Sequence, residues 1–111
     1  MGAKQNYDLT IEKIEDLVRR ELPEDKKTII STVARECAMT ERDLDTVFKF
    51  MTGVPVMQYV VTRKMQAAYE FLIEQAHLDI DKAVEISGYD NQSSFTKKFK
   101  SDFHMTPKKA H

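Results

Sequence analysis

The amino-acid sequence predicts an all-α chain made of two helix-turn-helix units separated by a longer helix. Three observations carry that expectation. Apolar residues recur three and four positions apart along the whole chain, with strand-like alternation nowhere. Glycine and proline number only three each in 111 residues, and they fall between the periodic stretches. One helix-turn-helix pattern also recurs in degenerate form about fifty residues from itself.

Taken in order, Ile11, Ile14, Leu17, Val18 and Leu22 hold helical spacing. Pro23 stops that helix, because its ring removes a donor and clashes with the preceding turn. Glu24 to Lys27 reads as a charged loop. Ile29, Ile30, Val33, Ala34 and Cys37 form a second amphipathic helix ending near Ala38-Met39. Thr40, with Asp43 three residues on, resembles a capping box in which Asp replaces the longer Glu. The helix begun there carries Leu44, Val47, Phe48 and Met51 on one face and ends near Gly53.

Pro55 suits the first turn of a longer helix through Tyr59, Arg63, Ala67, Ala68, Phe71 and Leu72. The period breaks over Gln75 to Asp79. Ile80, Ala83, Val84 and Ile86 mark a short helix ending at Gly88, Phe95, Phe99 and Phe103 mark another, and Thr106-Pro107 closes the ordered part. The expected organisation is a first helix-turn-helix subdomain over residues 7–54, a connector helix over 55–75 and a second subdomain over 76–108. The leading Met1-Gly2-Ala3 reads as an expression remnant.

The two units align at an offset of 50 residues before the turn and 51 after it. Ile30, Val33 and Ala34, the turn at Ala38-Met39, then Leu44, Phe48-Lys49 and Gly53 answer to Ile80, Ala83 and Val84, the turn at Gly88-Tyr89, then Phe95, Phe99-Lys100 and His104. The final helix is apolar on one face only. Its other face offers Gln92, Ser93, Thr96, Lys97 and Lys100, side chains able to reach base edges and phosphates in a major groove. Two such units on a rigid connector can address successive major-groove segments roughly 34 Å apart, so one chain covers a site without dimerising.

The chain is 41% hydrophobic and 32% charged, enough for one core-bearing domain or two very small ones. A single cysteine, Cys37, excludes a disulfide framework and a zinc finger. Cys37 reads as a small apolar residue, not a nucleophile, and His77, His104 and His111 show no metal-ligand spacing. No phosphate loop, nucleophile motif or carboxylate pair points to an enzyme, and no metal or cofactor is expected. No long apolar run or signal pattern calls for a membrane, so a cytoplasmic location is expected. The net charge of −1 hides an asymmetry. Lys97, Lys98, Lys100, Lys108 and Lys109 face only Asp102 at the C-terminal end, whereas acids outnumber bases between Ser31 and Val54.

In sequence the chain resembles the C-terminal DNA-binding domain of the AraC/XylS transcription regulators, from about Tyr7 to Pro107. The resemblance rests on Val33-Ala34, Met39-Thr40, Leu44, Phe48-Lys49, Gly53, Tyr59, Arg63, Ile80, Gly88-Tyr89, Gln92-Ser93, Phe95, Phe99-Lys100 and Thr106-Pro107 in succession. The length matches the minimal single-domain MarA/SoxS type, and equally a domain of a longer bacterial regulator whose effector domain lies outside this sequence. The resemblance implies about seven helices, with recognition helices near Glu41–Met51 and Gln92–Ser101. It also implies double-stranded DNA and RNA polymerase as partners, activation at a promoter and nucleoid association.

Carried over position by position, the base readers are Arg42, Asp45 and Thr46 in the first unit and Gln92, Ser93 and Lys97 in the second. Gln92 suits adenine, and Arg42 or Lys97 suits guanine or a phosphate. Thr40 and Ser94 are expected phosphate contacts. Lys98 and Lys100 join them or form a solvated face, and Arg63 either touches a phosphate or pairs with Tyr59 to pack the connector. Several positions depart from the family pattern. Asp45 stands where a polar or basic reader is usual, with Glu41 and Asp43 beside it. Ala38 and His104 replace glycines, and Val84 replaces a small residue. The acidic first helix and the −1 total leave a competing reading, a protein-interaction module on the same fold that modulates another regulator or polymerase.

Overall fold

In the computed structural model the described residues form seven helices, α1 (Ala3–Arg20), α2 (Lys26–Glu36), α3 (Glu41–Thr52), α4 (Val56–Glu74), α5 (Ile80–Ser87), α6 (Gln92–Phe103) and α7 (Pro107–Ala110). The structure describes residues 3–111, with side chains from Thr10 onward. Met1, Gly2 and the side chain of Tyr7 lie outside the described residues. The all-α expectation holds throughout them. Two compact units divide at Val60 and Val61, so the boundary falls within α4 and not at its ends.

In the first unit α1, α2 and α3 pack on one another. Their core is Ile14, Leu17 and Val18 from α1, Ile29, Ile30, Val33 and Ala34 from α2, and Leu44 and Phe48 from α3, with Val56 and Val60 from the start of α4. Each fully buried aliphatic or aromatic side chain there contributes roughly 1.5–3 kcal/mol of hydrophobic burial. Tyr59 packs its ring on Phe48, centroids 5.0 Å apart. Val47, expected in the core, is only half-buried. The spacing places it at the edge of the α3 face centred on Leu44 and Phe48.

In the second unit Met65, Ala68 and Leu72 of α4 meet Ala83 of α5 and Phe95 and Phe99 of α6. Tyr69 stacks on Phe103 at 4.7 Å, and Phe99 lies 4.7 Å from Phe103 and 5.6 Å from Phe95. Such aromatic pairs contribute about 0.5–1.5 kcal/mol each beyond area burial. Val84 is half-buried against this cluster, so the larger side chain sits at the core margin.

The helix starts correct three expectations. Glu24 to Lys27 is not all loop: Asp25 caps α2, accepting from the Thr28 amide at 2.9 Å and the Thr28 hydroxyl at 2.8 Å. Thr106-Pro107 does not end the order but begins α7, with Thr106 accepting from the Lys109 amide. Pro55 stands one residue before α4, its carbonyl accepting from the Tyr59 amide at 3.1 Å. A proline there offers α4 no side-chain acceptor, and the acceptor comes from elsewhere in the chain.

A candidate nucleic-acid interface

The first helix-turn-helix is α2, the turn at Ala38-Met39, and α3. The Met39 amide donates to Ala34 O at 2.9 Å and the Ala38 amide to Arg35 O at 3.1 Å. These paired bonds are those of a Schellman turn, which demands a left-handed residue after the helix. Ala38 supplies it at φ 55. A Cβ in that region costs about 1–2 kcal/mol, so the missing glycine leaves strain in the turn. Thr40 then caps α3, accepting from the Asp43 amide at 3.0 Å, and Gly53 ends it at φ 79.

The second unit repeats this plan through different atoms. Gly88 ends α5 at φ 78. The buried Ser87 hydroxyl donates to Val84 O at 2.6 Å and accepts from the Tyr89 amide at 3.2 Å. Lys64 of α4, only 3% exposed, lays its stem against this turn: a Cβ on Gly88 would lie 3.3 Å from Lys64 Cδ. Asn91 caps α6 by accepting from the Ser94 amide at 2.8 Å. His104 ends it at φ 60, with its amide donating to Lys100 O.

On α6, Ser93 and Lys97 lie one turn apart, both exposed, and with Ser94, Lys98 and Ser101 they line one shallow open depression. Ser101 is a member the sequence reading missed, although the four-residue spacing from Lys97 signalled it. Lys98 is tied to Asp102 at 3.0 Å and so has a structural partner already. Lys100 is exposed one turn beyond Thr96. Gln92 is exposed but shares the helical line of Phe95 and Phe99, so its place at the helix start is what keeps it in solvent.

On α3, Arg42 and Thr46 are exposed, and the Thr46 hydroxyl donates back to Arg42 O at 2.9 Å. Asp45 has a different occupation from the one its position suggested. Its Oδ1 accepts from the Val56 amide at 2.9 Å across the turn after α3. Asp45 is half-buried, and it supplies the first turn of α4 with the acceptor that Pro55 lacks. A carboxylate there also faces the positive end of the α4 dipole. Glu41 and Asp43 lie in the first turn of α3, where that helix's own dipole favours them.

Arg63 is half-buried on α4, one turn after Tyr59. Thr40 and Ser94 are exposed at their helix starts. A further feature went unread in the sequence: Lys27, Ser31 and Arg35 run exposed along α2 at four-residue spacing. With Thr28, Thr32, Glu41 and Met57 they border an open groove beside α3. The first helix of such a unit is the one that crosses a DNA backbone.

Cys37 is half-buried at the end of α2, not fully buried. Burial pushes its thiol above the ordinary value of 9.0, against the opposing pull of Lys13 and with help from Glu36. Among the described residues, no group of three His, Cys, Asp or Glu side chains is arranged to hold a metal ion, and no helix is long and apolar enough to cross a membrane.

A helix-turn-helix domain family matches residues 33–110. Probable transcription factor PqrA of Proteus vulgaris is 31% identical over 80 residues, covering 72% of this chain and 65% of that protein. The transposon Tn10 TetD protein of Escherichia coli is 32% identical over 85 residues, covering 75% of this chain and 59% of that protein. The chain thus spans about two thirds or less of these relatives' own length. Two solved structures share the fold. The C-terminal domain of the response regulator yesN from Fusobacterium nucleatum has a TM-score of 0.72 at 23% identity, covering 89% of this chain and 94% of that one. The C-terminal domain of AraT, a response regulator from Geobacillus stearothermophilus, has a TM-score of 0.74 at 20% identity, covering 91% and 82%. With two capped helix-turn-helix units and a family match across both, the chain belongs to the AraC/XylS family of DNA-binding transcription regulators.

Proposed function

We propose that the chain is a sequence-specific reader of double-stranded DNA that binds as a monomer, one recognition helix per major-groove segment. The observation that supports this best is the pair of helix-turn-helix units, each with an exposed polar stripe on its second helix. In the second unit Lys97 and Ser93 read base edges, Gln92 reaches adenine from the helix start, and Ser94 and Lys100 hold phosphates. Lys98, engaged with Asp102, contributes to the local field more than to a direct contact.

In the first unit Arg42 is the hydrogen-bonding reader and Thr46 stands beside it. Thr40, with its hydroxyl proton still available after capping, is a phosphate donor. Lys27, Ser31 and Arg35 on α2 extend that backbone contact. Arg63 adds a phosphate contact from the connector. Asp45 is withdrawn from the readers, because its carboxylate serves α4. Activation of transcription at a promoter through RNA polymerase, in the bacterial cytoplasm, is the role the family resemblance suggests, alone or under an attached effector domain.

Selection from a random duplex library tests this reading. Enrichment of a roughly 20-bp site with two half-sites about one turn apart is expected. If no sequence is enriched at low salt while a protein partner is retained, the fold serves as a protein-interaction module instead.

A further inference from the structure

The outer line of α3 ends in an apolar group for which the polar readers have no use. Phe50 is 79% exposed, the most exposed of the large hydrophobic side chains among the described residues. Single exposed apolar residues are ordinary on protein surfaces. The position of this one is not. Phe50 stands one turn beyond Thr46 and two beyond Arg42, so the three follow one line along the helix.

The chemistry along that line changes from its start to its end. Arg42 brings donors. Thr46 has one hydroxyl proton and spends it on Arg42 O at 2.9 Å, leaving its methyl and acceptor lone pairs for whatever approaches. Phe50 brings only a ring. Of the two acids that flank the line, Asp45 is held by the Val56 amide at 2.9 Å, and Asp43 lies exposed in the first turn of the helix. Past Arg42 the two side chains of the line offer no proton to a base acceptor, and the donor beside them is the exposed Lys49. The one apolar feature of the major groove is the thymine C5-methyl, which Thr methyls and Phe rings pack against.

We propose that α3 reads thymine methyl groups. The Phe50 ring and the Thr46 methyl select A·T pairs in the first half-site, and Arg42 supplies the hydrogen-bonded contact beside them. This assignment rests on the DNA-reading function proposed above. It also gives the acidic helix a mode of recognition that needs no additional positive charge.

The test uses the full chain and the duplex recovered by selection, with each thymine replaced in turn by deoxyuridine. That change removes the C5-methyl and leaves base pairing intact. Thymines are expected in the half-site protected by α3, and uracil there should weaken binding roughly four-fold per methyl. Phe50→Ala should weaken binding to the thymine duplex and remove the uracil penalty in that half-site alone. Thr46→Ser, which keeps the hydroxyl and deletes the methyl, should remove the penalty at the neighbouring thymine. Circular dichroism confirms that the variants stay folded, as expected for exposed positions.

A half-site without thymine, or a uracil penalty that persists in both variants, overturns the proposal while leaving DNA reading intact. Unchanged DNA discrimination with lost transcriptional activity in Phe50→Ala also overturns it and makes the ring a protein contact. If no duplex is enriched at all, the underlying DNA reading fails, and this proposal with it.

Discussion

Replacing Asp45 with alanine separates two explanations of an acid on a recognition helix. In the structure Asp45 Oδ1 lies 2.9 Å from the amide of Val56, whose side chain is buried at the start of α4. Losing a capping side chain costs about 0.5–2 kcal/mol, and a hydrogen bond to a charged group contributes about 1.5–3 kcal/mol. Asp45 is half-buried, so solvent takes back part of the larger figure, and a loss of roughly 1–2 kcal/mol is expected for the first unit. In a unit of this size that corresponds to a fall in Tm of roughly 4–8 °C for each kcal/mol lost. Urea and thermal unfolding followed by circular dichroism measure it. Asp45→Asn keeps an acceptor in the same place and removes the charge, so it should retain most of the stability. A groove-facing acid would behave in the opposite way: alanine would leave stability unchanged and raise DNA affinity by relieving phosphate repulsion. Stability of Asp45→Ala within about 0.3 kcal/mol of the parent would refute the capping role.

Three further outcomes are expected. Lys97→Ala should weaken binding to the selected duplex by about 1–3 kcal/mol and relax specificity at one position; an unchanged fluorescence-anisotropy titration would remove Lys97 from the readers. Ala38→Gly should stabilise the first unit by up to about 1 kcal/mol, because the left-handed strain relieved exceeds the chain entropy added; a lower urea midpoint would show that the turn does not need glycine. Cys37, with its thiol pushed up by burial, should be alkylated more slowly in the folded than in the urea-unfolded chain near neutral pH. Its contribution to stability is unaffected below the ordinary thiol value of 9.0 and declines as pH rises past it, since the unfolded chain ionises first. Equal alkylation rates would contradict its burial.

The helical period made most of the fold legible. Ile14, Leu17, Val18, Leu44, Phe48, Phe95 and Phe99 sit in the two cores as their spacing requires, and Gly53 and Gly88 end helices in the left-handed conformation. The fifty-residue repeat also survives in backbone conformation: Ala38 answers to Gly88, and Gly53 to His104, all at positive φ. Local polar chemistry was harder to read. Asp25 looks like part of a charge run until its carboxylate is seen to accept from Thr28. Asp45 and Val56 are eleven positions apart, beyond the reach of any periodicity argument. Lys64 follows the ordinary pattern of a solvated lysine, yet it is buried because Gly88 has no side chain to exclude its stem. Phe50 lies off the face that Leu44, Val47, Phe48 and Met51 define, so the helical period already placed it outside the core.

A footprint with a measured stoichiometry tests two-headed DNA reading most directly. The full chain is titrated against the selected duplex, and backbone cleavage is mapped at saturation. One chain per duplex, protecting two stretches about 10 bp apart on one face, is the expected result. A single protected stretch, or two chains per duplex, would contradict it.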